Sequence, residues 1–309
     1  MNLTNIATIK NLCQEFGIRP SKKLGQNFLV SRNILDKIIK ASELSRRDNV
    51  LEIGPGFGVL TQELLKNINN LIVIEKDKKL AEFLRQEIKK YSNKEIKDGV
   101  EIINDDVLKI KNLDLFKKLK IKNYKIISNL PYQITSPVLW KFLNEVENSP
   151  AYVKASSFAK ATADRSVGRP EMMVLMVQKE VAERIIAKPG KMSILSVMCQ
   201  FYADVELVSV VGRENFWPEP DVDSAIIKLK VKSEKLKINE DKFIKLVKIG
   251  FSSKRKMLKN NLANGLKIPA QKIEKILEKI GLDKKIRAQE LLVEEWVKLF
   301  KCFCVLVFL

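Results

Sequence analysis

A short apolar strand that runs directly into alternating glycines, and from them into a helix, leaves a chain few ways to fold. Residues Asn49–Ile53 are such a strand, Gly54-Pro55-Gly56-Phe57-Gly58 the turn, and Leu60, Leu64 and Leu65 recur behind it at helical spacing. A strand joined to a helix in this way is half of a βαβ unit and calls for a second strand parallel to the first. Residues 71–74 supply it and end in Glu75. Leu80, Phe83, Leu84, Ile88 and Tyr91 then mark an amphipathic helix. A third strand, residues 100–103, ends at Asn104-Asp105-Asp106, and a fourth, residues 124–128, ends at Asn129. The expectation is an α/β, Rossmann-like doubly wound sheet, whose ligands sit beyond the carboxyl ends of the strands. Glu52, Glu75, Asp106 and Asn129 all fall on that edge.

The glycine turn is of nucleotide type, but a dinucleotide fingerprint needs glycine at its first, third and sixth places. The sixth place from Gly54 is Val59. The turn therefore suits a different adenosine-bearing cofactor, one without a pyrophosphate. Glu75, about 20 residues on, is placed to accept both ribose hydroxyls. Asp106 can accept from an adenine amino group. At the end of the fourth strand, Ile126-Ile127-Ser128-Asn129-Leu130-Pro131-Tyr132 joins an apolar run to an amide, a proline and an aromatic ring. Pro131 keeps Leu130 extended, so the Leu130 carbonyl is held outward beside the amide oxygen of Asn129. Two converging acceptors suit an exocyclic amine, and Tyr132 can stack on the heterocycle that carries it. On its own the short motif favours the plainer reading of a strand, a turn and a core tyrosine, so the functional reading rests on what surrounds it.

Residues 135–147 are expected as the return helix and residues 172–177 as the next strand. Between them, residues 149–169 are rich in Ala and Ser and read as a mobile insertion at the amino edge, away from the chemistry. Helices are expected near residues 178–188 and 193–201, and residues 205–211 and 224–231 as an antiparallel hairpin pair. Their connection carries Phe216-Trp217-Pro218-Glu219-Pro220. If the first of the pair runs parallel to the rest, this loop returns at the carboxyl edge and brings Phe216 near Tyr132, where two rings sandwich one base. The other reading is a proline-stiffened loop over a buried phenylalanine.

From Leu236 the pattern is helical, so a catalytic domain over residues 1–235 is followed by a small all-α domain over 236–309. Between Lys235 and Lys301 lie 18 basic and 8 acidic residues, about half of the net charge of +19. Lys254, Arg255, Lys256 and Lys259 form the densest cluster, suited to gripping phosphates rather than reading bases. The charge points to a polyanion, nucleic acid first, against the plainer reading of a lysine-rich solvated surface. The chain has no histidine, which removes the commonest general base and metal ligand. Cys13, Cys199, Cys302 and Cys304 lack Cys-x-x-Cys spacing, which supports neither a zinc site nor disulfides. The longest apolar run, residues 302–309, is far short of the roughly 20 residues that span a bilayer. A cytoplasmic protein without a membrane segment is expected.

Leu24-Gly25-Gln26-Asn27-Phe28-Leu29, Leu51-Glu52-Ile53-Gly54-Pro55-Gly56, Asn129-Leu130-Pro131-Tyr132, Gln178-Lys179-Glu180-Val181-Ala182 and Val222-Asp223-Ser224-Ala225 occur in that order. Together they resemble the ribosomal RNA adenine dimethyltransferases of the KsgA type over almost the whole chain. The resemblance implies a class I methyltransferase fold. It implies S-adenosylmethionine as methyl donor, bound by Asn27, Leu29, Gly54, Glu75, Asp106 and Asn129, with no metal. The target implied is two neighbouring adenosines in a hairpin near the 3′ end of small-subunit (16S) rRNA, each methylated twice on the exocyclic amine during ribosome biogenesis. Asn129, Leu130, Tyr132 and Phe216 would surround the reacting base, and a monomer is expected. Asp105 stands where the family usually has glycine, and the 149–169 segment and the apolar 302–309 tail depart from its pattern. The nearest rival is the large-subunit dimethyltransferase of the macrolide-resistance type. Leu130, in place of isoleucine, and residues 222–225 argue against it. A DNA adenine methyltransferase would typically show Asp-Pro-Pro-Tyr, which is absent. A non-catalytic small-subunit assembly factor is the alternative of a different class.

Overall fold

The computed structural model describes residues 1–21, 24–91, 99–112, 115, 123–144, 168–232 and 238–306. Seven strands form one sheet: β2 (Asn49–Ile53), β3 (Asn70–Glu75), β4 (Val100–Asn104), β5 (Lys125–Asn129), β6 (Met172–Gln178), β7 (Ala203–Val211) and β9 (Ser224–Val231), in the order β4-β3-β2-β5-β6-β9-β7. The first five strands of that order pair in parallel, and β9 runs antiparallel to β6. Strands β3, β5 and β6 are buried along nearly their whole length. That is the pattern of parallel strands covered on both faces, and it explains their continuous rather than alternating apolar sequence. The outer strand β7 is buried only at its two ends, Ala203 and Val211.

Helices α1 (Ile6–Glu15), α2 (Arg32–Ala41), α3 (Val59–Asn67), α4 (Lys78–Tyr91) and α5 (Thr135–Leu143) accompany the sheet. Ser31 precedes α2 at the N-cap position, and its side chain makes no capping bond. The chain divides into two compact units, one of Met1–Ala182 with Asp204–Ser233, the other of Glu183–Ala203 with Glu234–Leu309. A boundary after residue 235 would leave 183–203 in the first domain, whereas those residues group with the C-terminal helices.

The expected pair 205–211 and 224–231 is present, with β9 inserted between β6 and β7. Ser224 is the register partner of Gln178, the last residue of β6, so the loop that leads into β9 arrives at the carboxyl edge. Within that loop β8 (Phe216–Trp217) pairs antiparallel with β1 (Phe28–Leu29). The insertion expected over 149–169 lies outside the described residues except at its end. There the Gly168 carbonyl accepts from the Tyr124 hydroxyl and Arg169 donates to the Leu143 carbonyl. Because β6 runs parallel to β5, the connection from α5 enters β6 at the amino edge.

In the second unit, after α6 (Lys179–Ile185), which spans the boundary, come α7 (Ile194–Tyr202), α8 (Glu240–Gly250), α9 (Leu258–Leu266), α10 (Ala270–Lys279) and α11 (Val293–Leu306). Aromatic rings fill its core. Phe201 stacks on Phe243 at 4.3 Å between centroids, Phe243 meets Phe300 edge-on at 5.8 Å, and Trp296 is fully buried. Pro269 sits at the N-cap of α10 rather than inside its first turn. The apolar tail continues α11 as far as Leu306, with Phe303 buried among the described residues.

Candidate active site

Strand β2 is flanked by β3 on one side and β5 on the other, so the order reverses here and a crevice opens beyond the carboxyl ends of these strands. A cavity of about 240 Å³ lies at that point. Asn27, Leu29, Gly54, Glu75, Asp106 and Asn129 all line it, together with Glu52, Gln26, Lys76 and Pro131. The glycine turn and the motif after β5 are in close approach. Gly54 adopts φ +66°, and a Cβ placed on it would lie 3.0 Å from Cδ of Pro131. Gly56, at φ +61°, would bring a Cβ to 2.9 Å from the Phe28 ring. Both positions need the missing side chain as well as the left-handed backbone.

Glu75 is 6% exposed. It accepts hydrogen bonds from the Gly56 N–H at 3.2 Å and the Asp77 N–H at 2.7 Å. Burial, the largest influence, raises its pKa to about 7 against the pull of these amides. Glu52 is 1% exposed and accepts from the Thr61 hydroxyl at 2.6 Å. Its pKa is pushed up to about 8, chiefly by burial and further by the charge of Glu75. Asp106 behaves oppositely. Lys76 Nζ at 2.9 Å and the Leu108 N–H at 3.0 Å hold its carboxyl below the usual range, with Lys76 dominant.

The Asn129 amide donates from Nδ2 to the Asn27 carbonyl at 3.4 Å, which leaves Oδ1 as an acceptor. Leu130 is buried, and its N–H is used by the Met176 carbonyl at 3.1 Å. Tyr132 is half-buried, its hydroxyl 2.7 Å from Ser224 Oγ. The expected sandwich of two rings is not assembled. Phe216 is 3% exposed, lies in the apolar core opposite Leu29, and lines no part of the cavity. The two-residue strand pair of β1 and β8 holds it there.

The sequence profile of the ribosomal RNA adenine dimethylases matches residues 18–304. A ribosomal RNA small subunit methyltransferase A from Dehalococcoides mccartyi is 39% identical over 95% of this chain and 92% of its own length. Its namesake from Clostridioides difficile is 37% identical over 93% and 92%. Among solved structures, a dimethyladenosine transferase from Plasmodium falciparum superposes with a TM-score of 0.69 at 28% identity, covering 89% of this chain and 96% of that one. The 23S rRNA methyltransferase ErmE superposes at 0.66 with 25% identity, covering 89% and 99%. The chain belongs to the ribosomal RNA adenine dimethylase family.

The cavity of this dimethylase fits the methyl donor that such chemistry uses. The two glycines open a cradle that a Cβ would fill, and buried carboxyls with no cationic partner among the described residues suit a ligand bearing hydroxyls and positive charge. Gln26, within the Leu24–Leu29 motif, donates to Asp77 at 3.2 Å and accepts from the Ser21 N–H at 2.8 Å, so it both closes its own loop and braces the cavity wall. Two other residues of the cradle carried no local sequence signal. Lys76 owes its role to the approach of β3 and β4, and Ile9 reaches the cavity from α1. Far along the chain, Lys254, Arg255 and Lys256 are exposed, whereas Lys259 is paired with Glu274. Among the described residues no group of three or more His, Cys, Asp or Glu is placed to hold a metal ion, and no helix is long and apolar enough to cross a membrane.

Proposed function

We propose that this dimethylase methylates the exocyclic amines of two adjacent adenosines near the 3′ end of small-subunit rRNA, each of them twice, with S-adenosylmethionine as donor. The observation that carries the proposal is the meeting of Gly54 with Pro131. It sets a donor cradle of glycine turn, Glu75 and Asp106 beside Asn129, the last residue of β5, in one cavity. The relatives' names supply the small subunit as the target.

When bound, S-adenosylmethionine supplies a methyl group activated on a sulfonium. Glu75 accepts from the donor's ribose hydroxyls, Asp106 from its amino group, and Asn27, Leu29 and Gly54 shape the rest of the cradle. The target amine is a weak nucleophile because its lone pair is delocalised into the ring. Asn129 Oδ1 and the Leu130 carbonyl hold it in line and favour the positive charge that develops on nitrogen. No strong base is required before attack, which agrees with a chain that lacks histidine. Extruding the adenosine from its stack sacrifices stacking that Tyr132 restores. Phe216 joins it only if the β1–β8 pair opens. Lys254, Arg255 and Lys256 hold phosphates.

Transfer of tritiated methyl from S-adenosylmethionine to small subunits that lack the modification, to large subunits and to duplex DNA tests this reading. Label is expected in the small subunits alone. Preferential labelling of large subunits would move the enzyme to the large-subunit class.

A further inference from the structure

Two carboxyls buried in one cavity without a cation are unusual unless a ligand brings the missing charge. Glu75 closes β3 and Glu52 is the last residue but one of the neighbouring β2, and neither is paired with a lysine or arginine among the described residues. Glu52 has one hydrogen bond, from Thr61 on α3. The charged groups that line the cavity with it, among the described residues, are Glu75, whose charge acts on it directly, Asp105 and Asp106, and Lys76, whose ammonium is engaged by Asp106. From β5 the wall presents the uncharged Asn129.

Resting on the methyl-donor reading above, we infer that Glu52 sets the preference of the cavity for donor over product. It is ionised when the bound ligand carries a sulfonium and protonated when the ligand is the uncharged thioether. A dry carboxyl with no cation retains its proton, and a fixed positive charge arriving in the same cavity makes the carboxylate favourable again. The loss of the methyl group removes that charge from the ligand, the carboxyl is protonated from solvent, and the attraction that held the donor is withdrawn. Glu52 is thus a specificity-determining residue that favours product release. Glu75 does not produce the same discrimination, since the ribose it is expected to meet is common to both ligands.

Calorimetric titration of the full chain with S-adenosylmethionine and with S-adenosylhomocysteine, from pH 6 to 9 in two buffers of different ionisation enthalpy, tests this. Donor binding near pH 7 is expected to release more protons than product binding. The ratio of the two dissociation constants should shift toward the donor by about tenfold as pH rises, one pKa unit being a factor of ten. Glu52→Gln, which keeps an acceptor for Thr61, should flatten the shift. Thr61→Val, which removes the bond favouring the carboxylate, should move its midpoint to higher pH. The ligands' own amines titrate alike in wild type and variants, so the difference belongs to Glu52. A flat ratio in the wild type, or an unchanged slope in Glu52→Gln, overturns the inference while leaving the methyl-donor reading intact. Failure of both compounds to bind removes both.

Discussion

Asn129 commits its amide nitrogen to the Asn27 carbonyl and leaves its oxygen as an acceptor, which in the proposed reaction holds the target amine. Its loss should fall on the chemical step. Asn129→Ala is expected to lower the single-turnover rate by about 10²- to 10³-fold, the range seen when an aligned polar group is removed from a transition state. Donor affinity, measured separately, should stay within a few fold. Glu52 and Glu75 make a second prediction, for the ligand-free protein. Their folded-state pKa values, about 8 and about 7, lie above the ordinary 4.5. Between these limits the folded chain binds more protons than the unfolded one, so their contribution to stability falls as pH rises and levels off above about 8. The slope is at most about 1.4 kcal/mol per pH unit for each carboxyl. Denaturant midpoints at pH 5.5 and 8.5 should therefore diverge more in wild type than in Glu52→Gln, and superimposable profiles would contradict the assignment. Glu75 and Asn129 were legible in sequence because each closes an apolar strand with a polar side chain, and Asp106 because it follows such a strand by two residues. The covering of Phe216 was not, since nothing in a two-residue strand announces its partner.

At the scale of elements, the glycine turn after β2 determines the shape of the donor cradle. Gly56→Ala would put a Cβ at a left-handed φ and against the Phe28 ring, a cost of about 1–3 kcal/mol in stability from backbone strain alone. The same change should weaken donor binding, because Phe28 lies in β1 and lines the cavity. Thermal melting and donor titration check both effects, and a variant unaltered in either would show that the turn is more adaptable than its contacts imply. The parallel strands were readable from the alternation of apolar strands with helices. The position of β9 between β6 and β7 was not, because a hairpin pattern in sequence does not specify which of its strands joins the existing sheet edge.

Across the molecule, a net charge of +19 bears on RNA association more than on folding. Replacing Lys254, Arg255 and Lys256 with alanine should weaken RNA binding and reduce the slope of log affinity against log salt by about 2, given roughly 0.7–0.9 per phosphate contact. Lys259→Ala should change that slope less, because Lys259 is already paired with Glu274. Filter binding across a salt series measures both, and equal slopes in the triple variant and wild type would place the RNA contacts elsewhere. The basic helical region was evident from composition, but the grouping of 183–203 with it was not, because that segment is separated from it by two strands of the sheet. In the proposed reaction donor and adenine amine meet where Gly54 approaches Pro131. Mass spectrometry of nucleosides from small subunits treated with enzyme and S-adenosylmethionine reads out that meeting. N6,N6-dimethyladenosine at two neighbouring positions, lost with Asn129→Ala, is the expected result. Methyl groups on ring nitrogens or ribose oxygens, or dimethylation undiminished in that variant, would contradict it.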